Sequence, residues 1–308
     1  MSVIVASERL TAQAPAARRR PFGRNARLAA AAAGIAVVAI AFAIVGGGSR
    51  WTSATAEATA RLTPATAPAA PAVAFSALEG LPAPVQRYLR MALREGQPRV
   101  ASAHLRQSGR LRTGVESSQW LDFEATETIA PEAPGFVWDA RIRLAPFVHA
   151  AMRDSYIGGT GSAAVALQSA FVLSAQSGGH ELDAGDLYRL LAEAAWAPTL
   201  LLPRAGLTWA RINDHRALAS LTQGGETATV EFRFNDAGEI AGIFAAERPR
   251  SYGTTYVGTP WEGRFNRYVT VDGMRVPQAG EVGWWVDDRW IPVWRATVTQ
   301  FRYELAGR

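Results

Sequence analysis

FVWDARIRL, residues 136–144, decides the fold. Phe136, Trp138, Ala140, Ile142 and Leu144 alternate with Val137, Asp139, Arg141 and Arg143. Successive side chains of a strand point to opposite faces, so a period of two with one polar face marks a half-buried antiparallel sheet. The same period runs through 121–126, where Leu121, Phe123 and Ala125 alternate with Asp122, Glu124 and Thr126. It returns in 228–234 with Ala228, Val230, Phe232 and Phe234. Further strands are expected near 100–112, 148–157, 162–173, 207–212, 216–222, 239–247, 264–271, 275–286 and 293–304. Gly158-Gly159, Asn213-Asp214, Gly224-Gly225, Asn235 to Gly238, Asp272-Gly273 and Asp287-Asp288 separate many of them as turns.

Two helices interrupt this pattern. The first follows Pro82-Ala83-Pro84, buries Val85, Tyr88, Leu89 and Ala92, and stops at Gly96 and Pro98. The second is expected from an N-cap at Asp183 to about Trp196, with Asp186 suited to the positive first turn. Its apolar face is Leu187, Leu190, Leu191 and Ala194. The expected fold is mainly β, or α+β: a curved antiparallel sheet of about ten strands with two or so helices on one face.

Upstream lies the run LAAAAAGIAVVAIAFAIV, residues 28–45, which carries no polar side chain. Eighteen helical residues span roughly 27 Å, close to a bilayer core. Arg18, Arg19, Arg20, Arg24 and Arg27 precede it, and the positive-inside rule keeps that side cytoplasmic. The expected organisation is a disordered leader at 1–27, a transmembrane helix at 28–46, an Ala/Thr/Pro-rich tether at 47–76 and one extracytoplasmic domain at 77–308. The alternative is secretion after cleavage near Ala54-Thr55-Ala56 or Ala58-Thr59-Ala60.

Composition narrows the function. The 308 residues contain no Cys, which excludes disulfides, thiol nucleophiles and Cys-type metal sites. The net charge of +5 belongs to the leader: residues 1–50 carry seven Arg and one Glu, and the remainder is nearly neutral. No nucleic-acid surface is therefore expected. There is no His-Glu-x-x-His, Gly-x-Ser-x-Gly, Walker loop or dinucleotide fingerprint, so no cofactor is expected and the reading leans away from an enzyme. His104, His149, His180 and His215 fall in different elements.

Several positions are out of pattern. Asp154 shares parity with Val148, Ala150, Met152 and Tyr156, so it either points into a cavity or is solvated at a strand end. Arg189, Glu193 and Trp196 lie opposite the leucines of their helix, as an exposed ion pair or as the lining of a cavity. Six of the ten tryptophans follow residue 200, and adjacent Trp284 and Trp285 must face opposite sides. Trp261, Trp284 and Trp294 near Arg264, Glu281 and Arg295 would suit an amphipathic ligand. The candidate ligand-binding set is therefore Asp154, Tyr156, Glu193, Trp196, Trp261, Arg264, Glu281, Trp284, Trp294 and Arg295. Three functions stay open: a membrane-anchored domain binding a hydrophobic or amphipathic ligand, most plausibly lipid; an envelope interaction or scaffold module; and a hydrolase with a carboxylate pair from Asp154, Glu193, Glu262 and Glu281.

Three stretches, ELDAGDLYRLLAEAAWAPTLLLP (181–203), TPWEGRFNRY (259–268) and VPQAGEVGWWVDDRWIPVWRATVTQFRY (276–303), together resemble an uncharacterised bacterial family of membrane-anchored domains. That resemblance implies grouping and no established activity. The coarse architecture is also similar to the outer-membrane lipoprotein carriers, whose fold implies a curved sheet closed by helices around an apolar cavity for acyl chains. An apparent membrane anchor sets this chain apart from those shuttling carriers.

Overall fold

A computed structural model describes residues 24–63, 71–253 and 255–307. The expected leader lies almost wholly outside them, as do residues 64–70 of the expected tether. The chain forms two units, Met1–Ala43 and Ile44–Arg308. The first holds the apolar part of helix α1 (Arg24–Leu62), where Leu28, Ile35, Val37 and Phe42 are all exposed. By length and composition α1 is apolar enough to cross a membrane, a test that a signal sequence also meets.

The second unit is built on thirteen antiparallel strands. They are β1 (Val100–Leu111), β2 (Leu121–Ala130), β3 (Gly135–Ala145), β4 (Val148–Ile157), β5 (Thr160–Leu167), β6 (Phe171–Ser177), β7 (Leu207–Asn213), β8 (Arg216–Gln223), β9 (Glu226–Phe234), β10 (Ile240–Tyr252), β11 (Thr255–Val271), β12 (Met274–Val286) and β13 (Arg289–Leu305). The order is β6-β5-β4-β3-β2-β1-β13-β12-β11-β10-β9-β8-β7. The chain enters mid-sheet at β1 and steps outward to one edge at β6. It then crosses to the other edge through helix α3 (His180–Glu193) and steps back inward to β13. The period-two strands of the sequence are all present. The single strand expected at 162–173 is instead a hairpin, because Gln168 and Ser169 take left-handed conformations and turn the chain between β5 and β6.

Alternation fills one face with a single core. Phe123, Ile129, Phe136, Trp138, Tyr156, Val230, Phe232, Ile243, Trp261 and Val298 all point to it. Helix α2 (Ala83–Ala92) adds Val85, Tyr88, Leu89 and Ala92, and α3 adds Leu187, Leu190 and Leu191. We call this face inner. Helix α3 touches β4 and β5 on one wing and β8, β9 and β10 on the other, so it bridges the curled sheet. The wings also meet directly. A Cβ on Gly159 would lie 2.7 Å from Gly224 Cα, so only glycine permits the contact between these two turns. The Tyr156 hydroxyl donates to the Gln223 carbonyl at 3.4 Å beside this seam.

Two sequence expectations need correction. The stretch 47–62 is not an extended tether: α1 continues to Leu62 and packs on the outer face of β3–β5. Trp51, Thr55, Ala58 and Leu62 stand at helical spacing on one side of it. The Trp51 indole N–H and the Thr55 hydroxyl donate to the Asp139 carboxylate, and Arg153 lies over the Trp51 ring at 4.6 Å. Ala58 and Leu62 pack on Ala130 and Val137. The second correction concerns α3, which starts at His180 rather than after Asp183. The Asp183 carboxylate instead accepts the Gly161 N–H at 2.6 Å, tying the helix to β5.

Candidate functional site

The inner face carries a cluster of ionisable groups under α3. Arg189, on the sheet-facing side of α3, is its centre. Its Nε donates to Glu193 at 2.6 Å, its Nη1 to Asp154 at 2.9 Å and its Nη2 to Glu127 at 3.3 Å. The guanidinium lies over the rings of Phe136 and Trp138, at 4.5 and 5.1 Å. Planar, delocalised charge is weakly hydrated, which is why arginine rather than lysine suits this place. The network extends outward from Glu127. Gln107 donates its amide N–H to Glu127 at 2.6 Å and accepts the Trp138 indole N–H at 2.9 Å. A second guanidinium, Arg248, lies over Trp261 and Trp284 at 4.3 and 5.3 Å and donates to the Gly185 carbonyl.

Four carboxyls, Glu127, Asp154, Asp186 and Glu193, thus surround two guanidiniums. Burial raises the Glu127 carboxyl well above the ordinary range, and the Glu193 charge beside it adds to that. Burial does the same to Asp186, reinforced by Asp154. Asp154 is raised too, by burial first, although Arg189 pulls it back. Burial opposes the Arg189 charge, but Glu193, Glu127 and Asp154 outweigh it and hold the guanidinium above its usual range. Arg248 is pulled down by burial to about 10. Raised carboxyls are what a low-dielectric setting favours, since burial penalises the charged form. Asp154 Oδ1, Asp186 Oδ2 and Glu193 Oε2 are buried without a hydrogen-bond partner among the described residues.

An aromatic ladder adjoins this cluster. Trp138, Phe123, Trp294, Trp196 and Phe265 stand in sequence, with centroids 5.8, 6.0, 6.3 and 5.5 Å apart. Trp196 is fixed by donating its indole N–H to the Pro277 carbonyl. Beyond α3, towards the β1–β2 and β3–β4 turns, the inner face is only partly covered. Met152, Val165, Val282, Trp284 and Trp294 are half-buried there. Asp154 and Arg189 border this region and keep 15 and 17% of their side-chain surface exposed. The open half therefore has apolar walls and a polar end.

The structure divides the expected set. Asp154, Tyr156, Glu193, Trp196, Trp261, Trp284 and Trp294 reach the inner face. Tyr156 is fully buried at the seam between the wings rather than in the open half. Arg264, Glu281 and Arg295 do not join them. They are cross-strand neighbours on the outer face, where register pairs Arg264 with Glu281 and Glu281 with Arg295. There Arg264 stacks on Trp290 at 3.7 Å and pairs with Glu262, which also accepts the Trp285 indole N–H. Arg295 and Arg112 flank the Trp120 ring, each at 4.5 Å. These arginines are satisfied by outer-face aromatics, and the sheet separates them from the ladder. Of the proposed carboxylate pairs, Asp154 and Glu193 converge on Arg189, whereas Glu262 and Glu281 lie on the other face. Glu127 and Arg248 are inner-face residues that the sequence reading did not single out. Asp186, expected in the first turn of its helix, lies beyond that turn because α3 starts at His180, and is buried in the cluster instead. Among the described residues no group of His, Asp and Glu is arranged to hold a metal ion.

With the site in view, comparison places the chain. A family model matches residues 79–303, which contain all three motif stretches and both halves of the sheet. The chain belongs to the family of unknown function DUF6920. No curated protein matches it in sequence. Among solved structures the DUF6920 chain is similar to a LolA superfamily protein from Nitrosomonas europaea, with 10% identity and a TM-score of 0.39 over 72% of this chain and 92% of that one. It is also similar to a domain described as an outer membrane lipoprotein-sorting protein, from Vibrio parahaemolyticus, with 8% identity and a TM-score of 0.39 over 66 and 86% of the two chains.

Proposed function

We propose that this protein is a membrane-anchored, extracytoplasmic domain that binds an amphipathic, lipid-like molecule on the open half of its inner face. The observation that carries this reading is the juxtaposition there of half-buried Met152, Val165, Val282, Trp284 and Trp294 with the partly exposed edge of the Arg189 cluster. Half-buried apolar side chains on the inside of a curled sheet, ending at the partly exposed edge of Asp154 and Arg189, match a molecule with a chain and a head. Acyl surface buried on this lining contributes about 25 cal/mol per Å². Asp154 supplies a polar contact for a headgroup. The apolar run of α1 holds the domain at a membrane, and the arginines before it keep the N-terminus on the cytoplasmic side.

Lipid extraction and native mass spectrometry of the full chain purified from membranes test this. A stoichiometric lipid that is lost in Trp284→Ala, with folding intact by circular dichroism, is the expected result. A folded protein that reproducibly carries no lipid, and binds none added in detergent, overturns it.

A further inference from the structure

We infer that the end of the sheet formed by the β3–β4 and β5–β6 turns is a membrane-docking surface, seated in the headgroup–acyl boundary of the bilayer that the apolar part of α1 spans. This rests on the anchoring proposed above and adds to it an orientation of the domain. The surface is apolar where a soluble protein has no reason to be. Phe147 is 98% exposed, and Leu144, Val148 and Phe171 are exposed around it. The turns form one continuous patch. The Gln168 side chain donates to the Phe147 carbonyl at 2.8 Å, and the Gln168 backbone N–H donates to the His149 carbonyl at 2.9 Å. Phe147 holds a left-handed φ of 63°, a conformation disfavoured for a bulky residue, at the tip of its turn. Such an aromatic tip, with none of the described residues over it, fits an interface where rings sit at headgroup level.

The point at which the chain enters the domain selects a bilayer over a protein partner. The domain unit begins at Ile44. Gly47 passes so close to Ala170, in the β5–β6 turn, that a Cβ there would lie 2.4 Å from the Ala170 Cα. The eighteen-residue apolar run ends at Val45. Within the domain unit, the chain that directly follows the apolar run therefore passes over the β5–β6 turn, beside the exposed patch. Four apolar side chains alone would bind lipid weakly. Joined to the anchor, they meet the bilayer intramolecularly, so weak contacts suffice. Beside Phe147 and Val148 lies a cleft of about 590 Å³, lined by Arg110, Arg141 and Arg143 together with Asp122, Glu124 and His149. It offers polar groups at the depth where phosphate and amine headgroups would stand. Met152, on the open inner lining, is four residues along β4 from Val148, so that lining faces the same end.

The absence of cysteine makes the test direct. Four single-cysteine variants of the full chain, V38C, F147C, F171C and D236C, carry an environment-sensitive fluorophore. They are reconstituted in vesicles of phosphatidylethanolamine and phosphatidylglycerol containing nitroxide-labelled lipid. Asp236 is fully exposed in the β9–β10 turn at the other end of the strands. The expected result is strong quenching at 38, and quenching at 147 and 171 several-fold greater than at 236. Quenching at 38 with 147 and 171 no more quenched than 236 overturns the docking surface and leaves the anchor standing. No quenching at 38 removes both.

Discussion

Arg189 shows how far a single residue governs this interior. It brings together carboxyls from three separate elements, β2, β4 and α3, and stacks on two rings of β3. Buried ion pairs recover their desolvation cost only when the geometry satisfies every partner, and here three carboxyl oxygens of the cluster have no partner among the described residues. The consequence is a pH dependence of definite sign. Glu127 and Asp186 have folded-state pKa values well above their ordinary 4.5 and 3.8, so the folded protein binds protons that the unfolded chain releases. Their contribution to stability is complete below the ordinary carboxylate range and is lost as pH rises through the raised values. Urea unfolding from roughly pH 5 upward should therefore show stability falling with pH, and Glu127→Gln or Asp186→Asn should flatten that fall. A slope unchanged in both variants contradicts the assignment. The sequence announced this cluster only in part. Asp154 broke the alternation of its strand and was visible. Glu127 obeys the inner parity of Phe123, Ala125 and Ile129, but its alternation continues past the stretch where period two was clear. Arg248 follows a register shift between β10 and β11 after Ala245, so no parity count could assign its face.

Elements were legible to the extent that one local period dominated them. Half-buried strands announce themselves because one face is polar, and α2 because its stripe is flanked by Pro and Gly. The end of α1 did not, since Ser, Thr and Ala between residues 49 and 62 resemble a linker in composition. Its helical stripe of Trp51, Thr55, Ala58 and Leu62 gains meaning only from the outer face of β3–β5, which is distant in sequence. That packing ties residues 51–62 to the sheet, ahead of the expected start at Ala77. Leu62 is 2% exposed, and replacing a leucine so placed by alanine removes its packing and leaves a cavity, at about 2–5 kcal/mol. Leu62→Ala should lower the denaturant midpoint of the full chain accordingly, whereas Val38→Ala, in the other unit, should leave it unchanged. Equal midpoints for Leu62→Ala and the parent chain would show that the helix end lies on the sheet without holding it.

At the scale of the whole molecule, the fold depends on two closures remote in sequence. One is the pairing of β1 with β13, which joins Ala103 to Tyr303 and makes the sheet continuous through its middle. No local pattern in either strand specifies that partner; it follows from the chain leaving the centre, crossing on α3 and returning. The other is the seam between the wings, where the Gly158-Gly159 turn meets the Gly224-Gly225 turn. The sequence marks both as turns but not as neighbours. The two closures differ in strength. β1 and β13 share a long ladder of backbone hydrogen bonds, whereas the seam relies on close glycine contact, the Tyr156–Gln223 bond and the Gln223 amide donating to the Pro134 carbonyl. Gly159 sits at φ +89°, where a side chain is strained, and its missing Cβ is what lets Gly224 approach. Gly159→Val should therefore part the wings without unpairing the centre. Hydrogen exchange should quicken in the β4–β5 and β8–β9 hairpins and stay slow in β1 and β13, since local opening draws on the least stable contacts first. Uniform acceleration across all strands would mean instead that the seam and the central ladder open as one cooperative unit, and that the inner face has no independent way to widen.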